Sequence, residues 1–200
     1  MSDRGKYRPL SYFQLMEVTL RELLVEKGLI TEEQVNATLE DMRRRTPERG
    51  ARVVARAWVD EGFRKRLLEN GSKACEALGL DVPALKLVVV ENTPQVHNVI
   101  VCTLCSCYPR MLLGIPPDWY KSRNYRSRMV REPRRVLAEF GLEIPEKMTI
   151  RVHDSTADMR YMVLPMRPPG TEGWSEERLA ALVSRNAMIG VAAARRPATG

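Results

Sequence analysis

The segment "VIVCTLCSCYPR", residues 99–110, decides how the rest of the chain is read. Three of the four cysteines, Cys102, Cys105 and Cys107, fall within it. The β-branched run before them reads as a strand that feeds a loop. The fourth, Cys75, stands apart, flanked by Ala74 and Ala77, and reads as a small core residue. A thioredoxin-type dithiol needs only Cys-x-x-Cys at a strand-to-helix junction, which leaves one cysteine surplus. A structural zinc site takes four ligands, generally as two separated pairs. The two histidines, His97 and His153, have no ligand spacing to the cysteines. Iron–sulfur clusters want four cysteines at other spacings. A compact claw for one metal ion fits the pattern. Sulfurs at i, i+3 and i+5 converge only through a tight turn, which also brings the peptide nitrogens of Ser106 and Cys107 near the ion. Soft sulfur donors suit a late or trivalent transition metal and exclude magnesium and calcium. On residues alone, a metal claw, a redox dithiol and inert cysteines all remain open.

Outward from the loop, "LKLVVVEN" predicts a strand over 85–91 and "VHNVIVC" a second. "PEKMTIRVHDS" and "MRYMVLPMRP" predict two more, and "STAD" between them suggests a hairpin. "SRNYRSRMVREPRRVLAEFGL" predicts a basic helix that Pro133 interrupts or starts anew. Its arginines Arg126, Arg128, Arg131, Arg134 and Arg135 read as a charged face engaged in ion pairs. "SEERLAALVSR", capped by Ser175, predicts the last clear helix. Upstream, "ARVVARAWVDEGFRKRLLENGSKACEALGL" predicts two helices, with Asp60 capping the second, "NGS" breaking it and Gly79 closing the end. Residues 11–45 predict a helical pair with Leu15, Val18, Leu23, Leu24 and Leu29 on an apolar stripe. Thr31 and Gln34 form a capping box, and Pro47 and Gly50 end the second helix. The stripe suits either the chain's own body or another subunit.

The predicted class is α+β: a helical arm over 1–45, a layered α-β-β-α metal-binding catalytic domain over 46–195 and a flexible tail over 196–200. Two hundred residues bury a core without disulfide staples. No apolar run is long enough to span a membrane, and "MSDRGKYRPLSYF" does not read as a secretory signal, so a cytoplasmic location is expected. The net charge is +7, but acidic residues alternate with the basic ones and no aromatic stacking platform accompanies them. No nucleic-acid or membrane partner is therefore expected. An acidic protein partner accounts for the charge equally well.

"VCTLCSCYP", followed in order by "GIPPDWYK", "YRSRMVREPRRVLAEFGL", "LPMRPPGTEGWSEERLAALVSR" and "MIGV", closely resembles the α subunit of nitrile hydratase, from about Arg43 to Val191. The resemblance implies one low-spin trivalent ion per chain, bound by Cys102, Cys105, Cys107 and the deprotonated amides of Ser106 and Cys107. It implies that Cys105 is a sulfinate and Cys107 a sulfenate. Thr103, after the first cysteine, implies cobalt(III) in preference to iron(III). The implied reaction is hydration of a nitrile to its amide. The ion acts as a Lewis acid on the nitrile or activates water, or the Cys107 sulfenate attacks the carbon. Ser106 is implied as a hydrogen-bonding neighbour of substrate or water. The family supplies clamping arginines from a β subunit, which implies a hetero-oligomer. Where the family commonly has Trp after "CYP", this chain has Arg110, so a more polar pocket and a polar heteroaromatic nitrile are expected. The alternative of an outward-folded Arg110 on an acidic partner stands beside it. Competing functions are the cobalt subunit of thiocyanate hydrolase, a non-catalytic cobalt carrier and a dithiol redox protein.

Overall fold

The computed structural model describes residues 10–80, 82 and 86–197. It divides into two compact units, one up to Arg43 and one from Arg44 onward. The tail reading falls partly on 198–200, outside the described residues.

The first unit holds α1 (Tyr12–Glu26) and most of α2 (Glu32–Arg44). Both start on capping boxes. The Ser11 and Gln14 side chains each bond the other's backbone N–H, and Thr31 and Gln34 repeat the pattern as expected. No described residue of α1 or α2 is buried, and Tyr12, Phe13, Leu15, Met16, Leu20 and Leu23 are exposed.

The second unit opens with α3 (Pro47–Val59), α4 (Glu61–Glu69) and α5 (Gly71–Glu76). Here the structure corrects the sequence reading. Pro47 does not end α2: it sits in the first turn of α3, where a missing N–H is harmless. Gly50 lies inside α3, where it makes room for the side chains of Met188 and Leu113. A Cβ there would lie 2.7 Å from Met188 Sδ and 2.8 Å from Leu113 Cδ2. Asp60 caps α4 through the Phe63 N–H, as expected. The break expected at "NGS" falls at Asn70, which ends α4 and caps a third helix, α5, through the Lys73 N–H.

Four strands follow: β1 (Lys86–Glu91), β2 (Val96–Val101), β3 (Thr149–Asp154) and β4 (Met159–Leu164). β3 and β4 are not a hairpin. β1 pairs in parallel with β4, from Lys86↔Met159 to Glu91↔Leu164. β2 pairs in parallel with β3, from Val96↔Thr149 to Val101↔Asp154. The reason lies in burial. Every residue of β2 after Val96 is buried, the pattern of a strand covered on both faces, which favours a parallel partner. Pairing β3 with β4 would leave the backbone groups of β1 and β2 without their ladders. The 155–158 link therefore crosses between two small sheets. Its first residue, Ser155, is buried and donates N–H to Val101 O, extending the β2–β3 ladder.

Between β2 and β3 lie α6 (Arg110–Leu113), α7 (Asp118–Lys121), α8 (Arg123–Arg131) and α9 (Pro133–Glu139). Pro133 starts a new helix rather than kinking the old one. α10 (Glu176–Ala180) is capped by Ser175, and a further helix, α11 (Arg185–Ile189), follows it. The α+β class is observed, with α3 packed against α6, α10 and α11, α4 and α5 against β1, and α11 against β4. One apolar cluster, including Val53, Val54, Leu67, Cys75, Val99, Ile100, Leu137 and Met188, runs through the unit. Cys75 is buried there, and desolvation pushes its thiol up to about 12, so it is an inert core residue.

Candidate metal centre

The last pair of the β2–β3 ladder, Val101↔Asp154, fixes where the cysteine loop begins. Cys102 follows at once and is fully buried, Cys107 is also buried, and Cys105 is exposed. The three Sγ atoms lie within 4.8 Å of one another. Cys102 and Cys105 are 3.5 Å apart, and Cys105 and Cys107 are 3.2 Å apart. The residues read from the sequence as ligands are thus brought together in one turn.

Two features of the turn aim hydrogen at sulfur. The Cys105 N–H donates to Cys102 Sγ at 3.2 Å. The Cys105 thiol is drawn down to about 7, first by the Cys107 and Cys102 side chains and then by the Ser106 N–H, with a lesser part from the Cys107 N–H. Burial, with the neighbouring thiol of Cys105, pushes Cys107 up to about 12, while the Arg160 charge acts the other way. A cysteine whose thiol is drawn down beside backbone amides and a buried thiol together make a donor set that a bound cation would deprotonate fully.

The loop is fastened at four points. The Asp154 carboxylate accepts from the Thr103 N–H at 2.9 Å and from Thr103 Oγ1 at 2.5 Å. Arg126, on α8, donates through Nη2 to Thr103 O at 3.1 Å and to Leu104 O at 3.3 Å. The buried Tyr120 hydroxyl donates to Cys107 O at 2.9 Å. The buried Tyr125 hydroxyl donates to Ile100 O at 2.7 Å, holding the strand that leads in. Trp119 meets Tyr120, Tyr125 and Phe140 edge-on, its ring centroid 4.9 Å from that of Tyr125 and 4.7 Å from that of Phe140.

Sequence reasoning does not reach Asp154, Tyr120 or Tyr125, and it gives Arg126 only as part of a charged face. The period-2 pattern of β3 places Asp154 at a strand end, but only the parallel register sets it opposite Val101. The five arginines divide. Arg128 pairs with Glu132 and Glu139, and Arg135 reaches the same two acids, as the ion-pair reading expects. Arg126, Arg131 and Arg134 instead bond backbone carbonyls. Arg110 opens α6, is exposed, and its guanidinium has no hydrogen bond or ion pair among the described residues. Ser106 is half-buried and stands between Cys105 and Cys107 in sequence. Among the described residues no helix is long and apolar enough to cross a membrane.

Residues 11–192 match the family model described as the alpha chain of nitrile hydratase. The chain is 50% identical over 179 residues to the cobalt-containing nitrile hydratase subunit alpha of Pseudonocardia thermophila, covering 88% of each. It is 44% identical over 195 residues to the thiocyanate hydrolase subunit gamma of Thiobacillus thioparus, covering 92% of this chain and 80% of that one. The fold superposes on a double mutant of the Fe-type nitrile hydratase of Comamonas testosteroni Ni1 with a TM-score of 0.89 at 46% identity, covering 95% and 94% of the two chains. A recombinant thiocyanate hydrolase with partially modified cobalt centres gives 0.87 at 41% identity over 96% of each chain. With a cysteine cluster shaped as a metal claw and a match along nearly its whole length, this chain belongs to the nitrile hydratase alpha-chain family.

Proposed function

We propose that the chain is the metal-bearing subunit of a cobalt enzyme that hydrates a nitrile to its amide, working with a β-type partner subunit. The observation that carries this is the convergence of Cys102, Cys105 and Cys107. Three sulfurs within 4.8 Å of one another, with no fourth cysteine or histidine beside them among the described residues, suit one late or trivalent transition metal better than the four-ligand set of structural zinc. Cobalt is supported by Thr103 and by the cobalt-containing relatives.

Cys102, Cys105, Cys107 and the amides of Ser106 and Cys107 would hold the ion, which when bound supplies Lewis acidity toward a nitrile. The chain's own residues set the frame for that chemistry. Ser106, small enough for the turn, offers its hydroxyl to substrate or water. Cys107, buried and next to Ser106, carries the sulfur that as a sulfenate would serve as nucleophile. Tyr120 holds the Cys107 carbonyl, and so the orientation of that residue. Arg110 extends the site with an unpaired cation, which suits a polar or heteroaromatic nitrile.

That same cation favours a second reading, since thiocyanate is an anion and the gamma subunit of thiocyanate hydrolase is 44% identical. One experiment tests both. The full chain is produced with its partner in cobalt medium, then measured by elemental analysis, intact mass and product assay. One cobalt per chain, a mass gain of about three oxygens and amide from nitriles are expected. Carbonyl sulfide and ammonia from thiocyanate, with no amide, would establish the second reading. A metal-free chain of unmodified mass would sink both.

A further inference from the structure

Arg126 makes contacts that a surface arginine does not need. Its Nη2 bridges two consecutive carbonyls of the claw, Thr103 O at 3.1 Å and Leu104 O at 3.3 Å. Its Nε is buried without a partner, which costs free energy rather than adding stability. Each carbonyl belongs to a peptide unit whose N–H lies one residue further on. The Leu104 carbonyl is conjugated to the Cys105 N–H, and that N–H donates to Cys102 Sγ at 3.2 Å. A cation on the oxygen of a peptide withdraws electron density from its nitrogen and strengthens the N–H as a donor. The contacts therefore form a line from guanidinium to peptide to sulfur. On the other side of the same turn, the Asp154 carboxylate holds the Thr103 N–H. Three successive peptides from Cys102 to Cys105 are thus held, the first at its N–H by an anion and the next two at their C=O by a cation.

We propose that Arg126 is a positioning residue for the metal centre: it fixes the 103–105 peptides and, through the Leu104–Cys105 peptide, tunes the Cys102 sulfur that serves as ligand. The inference rests on the metal-claw reading above. It also predicts which substitutions are tolerated. Both contacts come from one nitrogen, so a single ammonium can replace them and the guanidinium's planar fork is not required. Lysine should work where an uncharged side chain of similar length should not.

The test compares the full chain, produced with its partner in cobalt medium, with Arg126→Met, Arg126→Lys and Arg126→Gln. Two readouts besides activity are used: the rate of cobalt loss to excess chelator and the position of the sulfur-to-metal charge-transfer absorption. In Arg126→Met, cobalt loss is expected to quicken about 10- to 100-fold, the range for removing a residue that supports a ligand, and the absorption is expected to shift. Arg126→Lys should stay close to the unaltered chain in both, and Arg126→Gln should fall with Met. If Arg126→Met fails to fold, the Lys and Gln variants decide the matter on the same readouts. Equal behaviour of Lys and the neutral variants, with the absorption unmoved, overturns the proposal and leaves Arg126 a packing residue. An unaltered chain that takes up no cobalt overturns the metal-claw reading, and this inference with it.

Discussion

Replacing Gly190 by alanine tests whether the support of the claw begins as far back as the last helix. Gly190 follows α11 with φ at 92°, in the left-handed region, and donates N–H back to Asn186 O and Ala187 O. Its carbonyl accepts from His97 Nε2 at 2.7 Å. A Cβ at this position would lie 2.2 Å from Asn98 O and 2.8 Å from Val99 Cα. Both are backbone atoms of β2, so no rotamer change relieves the clash. β2 cannot retreat without breaking its ladder to β3, in which Asn98 faces Arg151 and Val99 faces Val152. Gly170 supplies the control: its φ is 76°, but no heavy atom lies within 4 Å of the Cβ position. Gly170→Ala therefore carries only the conformational penalty of a left-handed alanine, about 1–2 kcal/mol. Gly190→Ala adds displacement of a buried strand, and a total of at least about 4 kcal/mol is expected. Urea unfolding of the two variants, at one protein concentration and one metal load, measures the difference. Val99 stands three residues before Cys102, so cobalt content should fall in Gly190→Ala and hold in Gly170→Ala. Equal losses of stability in the two variants would refute the close approach of α11 to β2.

Acidification should destabilise the fold through His97 and His153. Burial lowers both, with Arg151 adding to the effect on His153. His97 Nε2–H donates to Gly190 O and Nδ1 faces Asn92 Nδ2 at 3.3 Å, so the ring has no acceptor for a second proton. Because the folded pKa lies below the unfolded value of about 6.5, the unfolded chain binds the extra protons. Stability is thus full above that pH and declines as pH falls through the folded value. Thermal unfolding followed from about pH 8 to about pH 5 should show this decline, and His97→Gln should flatten it while lowering stability at the alkaline end. Tyr120→Phe and Tyr125→Phe should each cost about 1–3 kcal/mol in urea unfolding, the penalty of a buried acceptor losing its donor. Only Tyr120→Phe, which frees the Cys107 carbonyl, should also shift the charge-transfer absorption. Arg110→Trp should change the relative rates on acrylonitrile and bulky heteroaromatic nitriles, and unchanged ratios would remove Arg110 from the substrate pocket. Cys102→Ser, Cys105→Ser or Cys107→Ser should abolish stoichiometric cobalt in elemental analysis.

The site's centre was legible because its chemistry is local. Cys102, Cys105 and Cys107 sit within one turn, so their spacing alone limits where the sulfurs can go, and the strand before them is written in β-branched residues. Local signals elsewhere held for the same reason: the caps at Thr31, Asp60 and Ser175 need only a side chain and a backbone N–H three residues on. What the sequence hid is set at long range. The "STAD" link looks like a hairpin turn because its four residues suit one. Its geometry is decided instead by β1 and β2, some 60 residues upstream, which claim β4 and β3 as parallel partners. Only that register sets Asp154 against Val101 and so within reach of Thr103. Gly50 misled in a similar way, since a glycine punctuating a polar stretch and one admitting a neighbouring helix are the same letter. Arg126 shows the limit most sharply. The charged-face reading groups it with Arg128, for which it is right, although residues two apart on a helix project about 200° apart. Periodicity gives the side of the helix a residue occupies, but it says nothing of what lies against that side. Against Arg126 lie two carbonyls of the claw, a fact that enters only when β2, the loop and α8 are folded together. The converging cysteines of such a claw can therefore be read from a short segment, while the residues that hold them in place must be read from the tertiary structure.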